Sequence, residues 1–191
     1  MAETLILDRP EADDLAAAAP AAPVFDVVDG VCVERDMSFD TSWVGARFVF
    51  RLSALAEAHG GTVAGSDGGI QIFGDPAKIR FPDASYLAPG RIQPGNQATT
   101  WLQIPPDLVV EVISPNDMAE AVDLKRRAWL DAGVLRVWLA YPAAHAVMAF
   151  GPDGLIREFG PQDVLTDEVV PGFAVPVASF FPTTSAAETD A

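Results

Sequence analysis

A single glutamate interrupts an apolar strand, and a single lysine interrupts the apolar face of the helix that follows. Glu111 lies in DLVVEVI at 107–113. Side chains alternate along a strand, so Glu111 shares a face with Val109 and Ile113, while Leu108, Val110 and Val112 take the other. Apolar residues on both faces predict a covered, central strand. A carboxylate there is costly unless it pairs with a cation or binds one. Lys125 follows in SPNDMAEAVDLKRRAWLDAG at 114–133. Steps of about 100° per residue from Met118 gather Met118, Ala121, Val122, Leu124, Ala128, Trp129 and Ala132 on one side, with Lys125 amid them near 340°. Glu120, Asp123, Arg127 and Asp131 fall opposite, where solvent belongs, and Arg126 lies at the border. Two misfit charges on consecutive elements can answer each other. The bland alternatives are a structural salt bridge for Glu111 and a Lys125 that snorkels to the domain edge.

A third carboxylate, Asp83, lies upstream in FPDASY at 81–86. Pro82 removes one ladder donor, so that strand is expected to be bent, bulged or at an edge. Two carboxylates and a lysine suit metal-assisted phosphodiester hydrolysis. Mg²⁺ takes one or two carboxylates, keeps several waters and accepts phosphate oxygens. A metal lowers the pKa of a bound water, while a lysine orients or deprotonates that water or holds the phosphate. Other chemistries fit worse. His59 and His145 are the only histidines and stand far apart in sequence, which disfavours a His-rich zinc site. No GxGxxG, P-loop or GxSxG motif is present.

The elements that must position these residues are legible in turn. FDVVDGVCVE at 25–34 reads as a hairpin around Asp-Gly. SWVGARFVFRLSALAEAHGG at 42–61 reads as a helix stopped by Gly60-Gly61. Short apolar segments broken by Gly and Pro fill 62–92 and read as strands. In the 114–133 helix, Ser114 and Asp117 form a capping-box pattern, Pro115 suits the first turn, and Gly133 suits the C-terminal cap. VLRVWLAY at 134–141 is a strand, and 146–159 reads as a hairpin around GPDG. This order predicts an α/β (α+β) domain with a mixed central sheet flanked by helices.

The 191 residues suffice for one core. Residues 1–23 and 182–191 are poor in core formers and read as flexible tails, leaving a domain of 24–181. Cys32, the lone cysteine, reads as a small core residue, so the fold does not depend on a disulfide. No bilayer-spanning apolar run and no secretory pattern is seen, so no membrane partner and a cytoplasmic location are expected. The net charge of −15 opposes a nucleic-acid partner. The acid is unevenly spread, however. Between Lys78 and Arg136 seven Lys/Arg balance seven Asp/Glu, and the excess lies outside that segment.

PDASY at 82–86, PPDLVVEVISPND at 105–117, Lys125, AGVLRVWLAYP at 132–142 and VVPGFAVPVASFF at 169–181 resemble the Uma-type family of bacterial endonuclease-like proteins. That family lies within the PD-(D/E)XK superfamily, and the similarity runs from about residue 25 to 181 in block order and spacing. The resemblance implies a restriction-endonuclease-like fold and a Mg²⁺-dependent endonuclease (Mn²⁺ as an alternative ion) acting on DNA, with a homodimer by superfamily analogy. Asp83 then corresponds to the aspartate of the PD element and Glu111 to the acid of (D/E)XK, with the Val112 carbonyl as a further metal ligand. The usual lysine two residues after the glutamate is replaced by Ile113; in this family a lysine of the following helix takes its place, and Lys125 matches it. FDVVDG resembles a block that usually carries Glu where this chain has Asp26, so the acid is kept but shortened. The rival readings are a catalytically silent nuclease fold that binds protein or nucleic acid, favoured by the charge and by Asp26, and a metal-dependent hydrolase of a small phosphoester.

Overall fold

Burial along the central strand sets the architecture. The computed structural model of the chain describes residues 25–34, 38–92 and 101–182; the expected tails, apart from Pro182, lie outside them. A hairpin of β1 (Phe25–Val28) and β2 (Val31–Glu34) leads to helix α1 (Phe39–His59), and β3 (Thr62–Gly65), β4 (Ile70–Gln71), β5 (Ile79–Arg80) and β6 (Ala84–Leu87) follow. Next come β7 (Leu108–Val112), helix α2 (Ala119–Asp131), β8 (Arg136–Tyr141), β9 (Ala146–Phe150) and β10 (Ile156–Phe159), then a small ribbon of β11 (Val164–Thr166) and β12 (Ala174–Pro176).

The main sheet has the order β10-β9-β8-β7-β6-β3 and a smaller one the order β2-β1-β5-β4. Every neighbouring pair in the main sheet is antiparallel except β7 and β8, which run parallel. A parallel pair requires a crossover, and α2 supplies it. Alternation along β7 then sorts the core. Leu108, Val110 and Val112 pack with Val44, Phe48 and Leu52 of α1, while Val109 packs with Trp129 of α2, with Ile70 of the smaller sheet and with Ile72 in the turn that follows it. The segment after β11 closes the α1 side, where Phe180 stacks on Phe48 with ring centroids 4.1 Å apart. The mixed α+β architecture expected from the sequence is the one observed. Among the described residues no helix is long and apolar enough to cross a membrane.

Several local expectations are corrected. Helix α1 starts at Phe39, not 42, because Ser38 and Thr41 form a reciprocal capping box. Helix α2 starts at Ala119, not 114. The Ser-x-x-Asp pattern instead closes a turn ahead of the helix, with the Ser114 N–H donating to Asp117 Oδ2 at 2.8 Å and the Asn116 N–H to Ser114 Oγ at 3.4 Å. Met118, not Ser114, is the N-cap residue, with extended backbone at φ −74 and ψ 130. The C-terminal end is as expected: Gly133 has φ +97, and the N–H groups of Gly133 and Val134 donate to the carbonyls of Leu130 and Trp129, a Schellman arrangement. The apolar face of α2 is narrower than the wheel suggests. Met118 and Leu124 are exposed, because only the stripe through Val122 and Trp129 meets the sheet. Cys32 is half-buried rather than core, since β2 is the outer strand of the smaller sheet. Pro82 precedes β6, an interior strand of the main sheet, so it costs that ladder nothing.

Candidate active site

Glu111 occupies the C-terminal half of β7 and is 6 % exposed. Its two oxygens are held separately. Lys125 Nζ donates to Oε2 at 2.9 Å, and the Trp129 indole N–H donates to Oε1 at 2.7 Å. Both donors come from one face of α2, four residues apart, so a single helix face grips the carboxylate. The crossover between parallel strands places that face over the C-terminal end of β7, where α/β sheets commonly build their sites.

Asp83 reaches the same strand end by another route. The β6–β7 ladder ends at the Ala84–Val110 pair, and the next backbone donor on that edge, the Val112 N–H, is taken by Asp83 Oδ2 at 2.6 Å. Ile113 N–H points the other way, to the Ala140 carbonyl. Within a strand a residue's N–H and C=O share an edge, so the Val112 carbonyl lies on the Asp83 side. Gly45 of α1 packs against Asp83 here, and a Cβ at that position would stand in ordinary contact, 3.4 Å from Asp83 Cβ.

Asp26, on β1, completes the group. Its Oδ2 lies 3.4 Å from Lys125 Nζ and 3.4 Å from an Arg80 guanidinium nitrogen, and its Oδ1 accepts the Phe81 N–H at 3.0 Å. The carboxylate that differs from the family block therefore sits on the lysine and braces the backbone two residues before Asp83. Asp26, Asp83, Glu111, Lys125 and Arg80 all line one cavity of about 790 Å³. Within it Arg80 and Lys125 both pair with Asp26, and Lys125 pairs also with Glu111. Burial pushes the Glu111 carboxyl above its ordinary range; Lys125 opposes this, and Asp83 and Asp26 reinforce it.

The structure brings together all the residues singled out from sequence: Asp83, Glu111, Val112 and Lys125. Arg126, at the border of the apolar face, also lines the cavity, with its guanidinium 4.7 Å from the Phe150 ring centroid. Trp129 and Arg80 were not singled out for the site. The indole was discoverable, because it lies one turn beyond Lys125 on the same face, whereas nothing local marks Arg80, whose role depends on the pairing of β1 with β5. Among the described residues no three His, Cys, Asp or Glu side chains form a ready-made metal cage. Asp83 and Glu111 offer hard carboxylate oxygens, beside a backbone carbonyl, to one cavity. That donor set suits an ion that retains much of its water, as Mg²⁺ does, and not a zinc-type cage of nitrogen and sulfur.

Residues 10–178 match the Uma2 family, whose description reads "Putative restriction endonuclease". Among solved structures the fold resembles that of a protein from Anabaena variabilis ATCC 29413, titled as a "putative nuclease belonging to DUF820". The TM-score is 0.74 at 18 % sequence identity, over 88 % of this chain and 96 % of that one. No curated protein matches the chain.

Proposed function

The chain belongs to the Uma2 family of restriction-endonuclease-type proteins, and from that membership we propose that it is a Mg²⁺-dependent endonuclease hydrolysing DNA phosphodiester bonds. One observation carries the proposal: a buried glutamate, fixed by a lysine and an indole, faces a cavity whose described lining residues include five carboxylates and three cations. Asp83, Glu111 and the Val112 carbonyl would hold the ion, which when bound supplies charge neutralisation at the phosphate and a more acidic water. The chain's own residues do the rest. Trp129 fixes the plane of the Glu111 carboxylate. Each carboxylate oxygen can accept more than one bond, so these contacts leave Glu111 able to ligate. Lys125 presents its ammonium to the scissile phosphate or orients the attacking water, and Asp26 steadies that ammonium from the opposite side. Asp83 ties the ligand set to the end of the sheet through the Val112 N–H.

The test is incubation of single-stranded and plasmid DNA with Mg²⁺, with Mn²⁺ and with EDTA, for the wild type and Asp83→Asn. Cleavage with either metal, and none with EDTA or the variant, is expected. A wild type that cuts no DNA with either ion would sink the proposal.

A further inference from the structure

The proposed reacting groups lie at the floor of a recess whose walls are of different chemistry. We infer that this site takes a single nucleic-acid strand or an unpaired strand end rather than an intact duplex; the inference rests on the phosphodiesterase reading above. Glu111 is buried, so a phosphate must enter the cavity to meet it. The cavity volume of about 790 Å³ falls among pockets that enclose one drug-sized ligand. It suits a nucleotide or two. A duplex keeps its bases stacked inside, so it can offer such a recess a backbone phosphate but no base face.

The walls point the same way. Val33 of the hairpin and Val49 and Phe50 of α1 line the cavity. Phe50 is 59 % exposed, and the Arg51 guanidinium lies 5.6 Å from its ring centroid. An open aromatic ring with an adjacent guanidinium is a stacking platform for an unpaired base and tolerates any sequence, because every base has a π-face. Paired bases already use their faces on each other. Charge adds a third argument. Duplex binding draws its affinity from a row of phosphate contacts, yet the chain carries a net −15. Among the described residues that line the cavity the cations are Arg80, Lys125 and Arg126, and the first two are tied to Asp26, which is few for a row of phosphate contacts.

Fluorescence anisotropy of a labelled oligonucleotide, alone and annealed to its complement, tests the inference with the full chain. Ca²⁺ is used so that binding is read without turnover. The single strand should bind at least about tenfold more tightly, and Phe50→Ala should lose most of that preference. Phe50 is exposed, so the variant should melt with the wild type, which a thermal scan checks. Equal or tighter binding of the duplex overturns the inference, as does a preference that Phe50→Ala leaves intact. Hydrolysis of bis(p-nitrophenyl) phosphate with Mn²⁺ separates this from the reading beneath it. A protein that cleaves the small diester but shows no strand preference keeps its phosphodiesterase chemistry and loses the inferred substrate. A protein that prefers the single strand but cleaves nothing keeps the substrate class and loses the catalytic role.

Discussion

Glu111 and Asp167 are held by the same kinds of partner. Glu111 takes Lys125 and the Trp129 indole; Asp167 takes Arg136 at 2.8 Å and the Trp138 indole at 3.0 Å. The surroundings differ. At Asp167, Arg136 also reaches Glu168, which Arg157 pairs from outside, so two cations answer two carboxylates. The Arg136 and Asp167 side chains are 5 % and 2 % exposed. At Glu111 the ion-paired series Arg80–Asp26–Lys125–Glu111 lines an open cavity together with Asp83. A buried ion pair is thus weak evidence for function by itself. The access to it distinguishes a ligand site from a structural clamp.

The largest expected effect on stability falls at the clamp. Arg136→Met removes the cation from a sealed carboxylate, and breaking a buried pair by removing one partner costs about 3–5 kcal/mol. Chemical denaturation should show this loss with or without Mg²⁺. A variant as stable as the wild type would mean that the clamp is not sealed.

Lys125→Met should cost less, about 1–3 kcal/mol near neutral pH, because Glu111 can take up a proton instead of remaining an unpaired charge. The sign with pH follows from the raised Glu111 carboxyl. Its ordinary value is 4.5 and the folded value is higher, so across that interval the native state holds a proton that the unfolded chain has lost. Stability therefore falls as pH rises through the interval. Without Lys125 the opposing effect disappears and the interval widens. In EDTA the variant should approach wild-type stability as pH drops toward 4.5; a deficit independent of pH would assign the cost to packing.

The indoles sharpen the contrast. Trp129→Phe and Trp138→Phe each delete one N–H donor to a buried carboxylate and should lose about 1–3 kcal/mol apiece. Only Trp129→Phe should also weaken Mg²⁺ binding, by about 10- to 100-fold, as expected when the partner that orients a ligand is removed. Isothermal titration calorimetry on both variants checks this, and equal losses of affinity would erase the distinction between the regions.

What the sequence made legible follows from which residues violate their local pattern. Glu111 and Lys125 are charges at apolar positions, so periodicity exposed them. The order of elements followed from turn residues and strand alternation. Asp26 and Arg80 carry no such mark, because charges beside turns on short strands are ordinary. Their meeting depends on the β1–β5 pairing, a contact between segments 52 residues apart at Val27 and Ile79. The start of α2 was misplaced for a related reason: a capping-box pattern and a turn closed by the same two side chains look alike until the backbone is seen.

Glu111→Gln should cost less stability than Arg136→Met and have the most severe effect of these changes on activity. The amide keeps the shape and can still accept the Trp129 N–H, while Lys125 retains Asp26. Burial already disfavours the charged carboxylate, so removing the charge gives back much of what the lost ion pair contributed. The amide NH2 faces the Lys125 ammonium donor to donor, however, so a loss of about 1–3 kcal/mol is expected. Mg²⁺ should raise the melting temperature of the wild type, since a ligand that binds only the folded state stabilises it, and should leave the variant unmoved. Cleavage should fall at least about 100-fold, the scale of losing a group that acts on the transition state. If Glu111→Gln instead unfolds the protein as readily as Arg136→Met does, while Mg²⁺ still protects it, then Glu111 belongs with Asp167 as a structural partner. The ion would then have to be held without it.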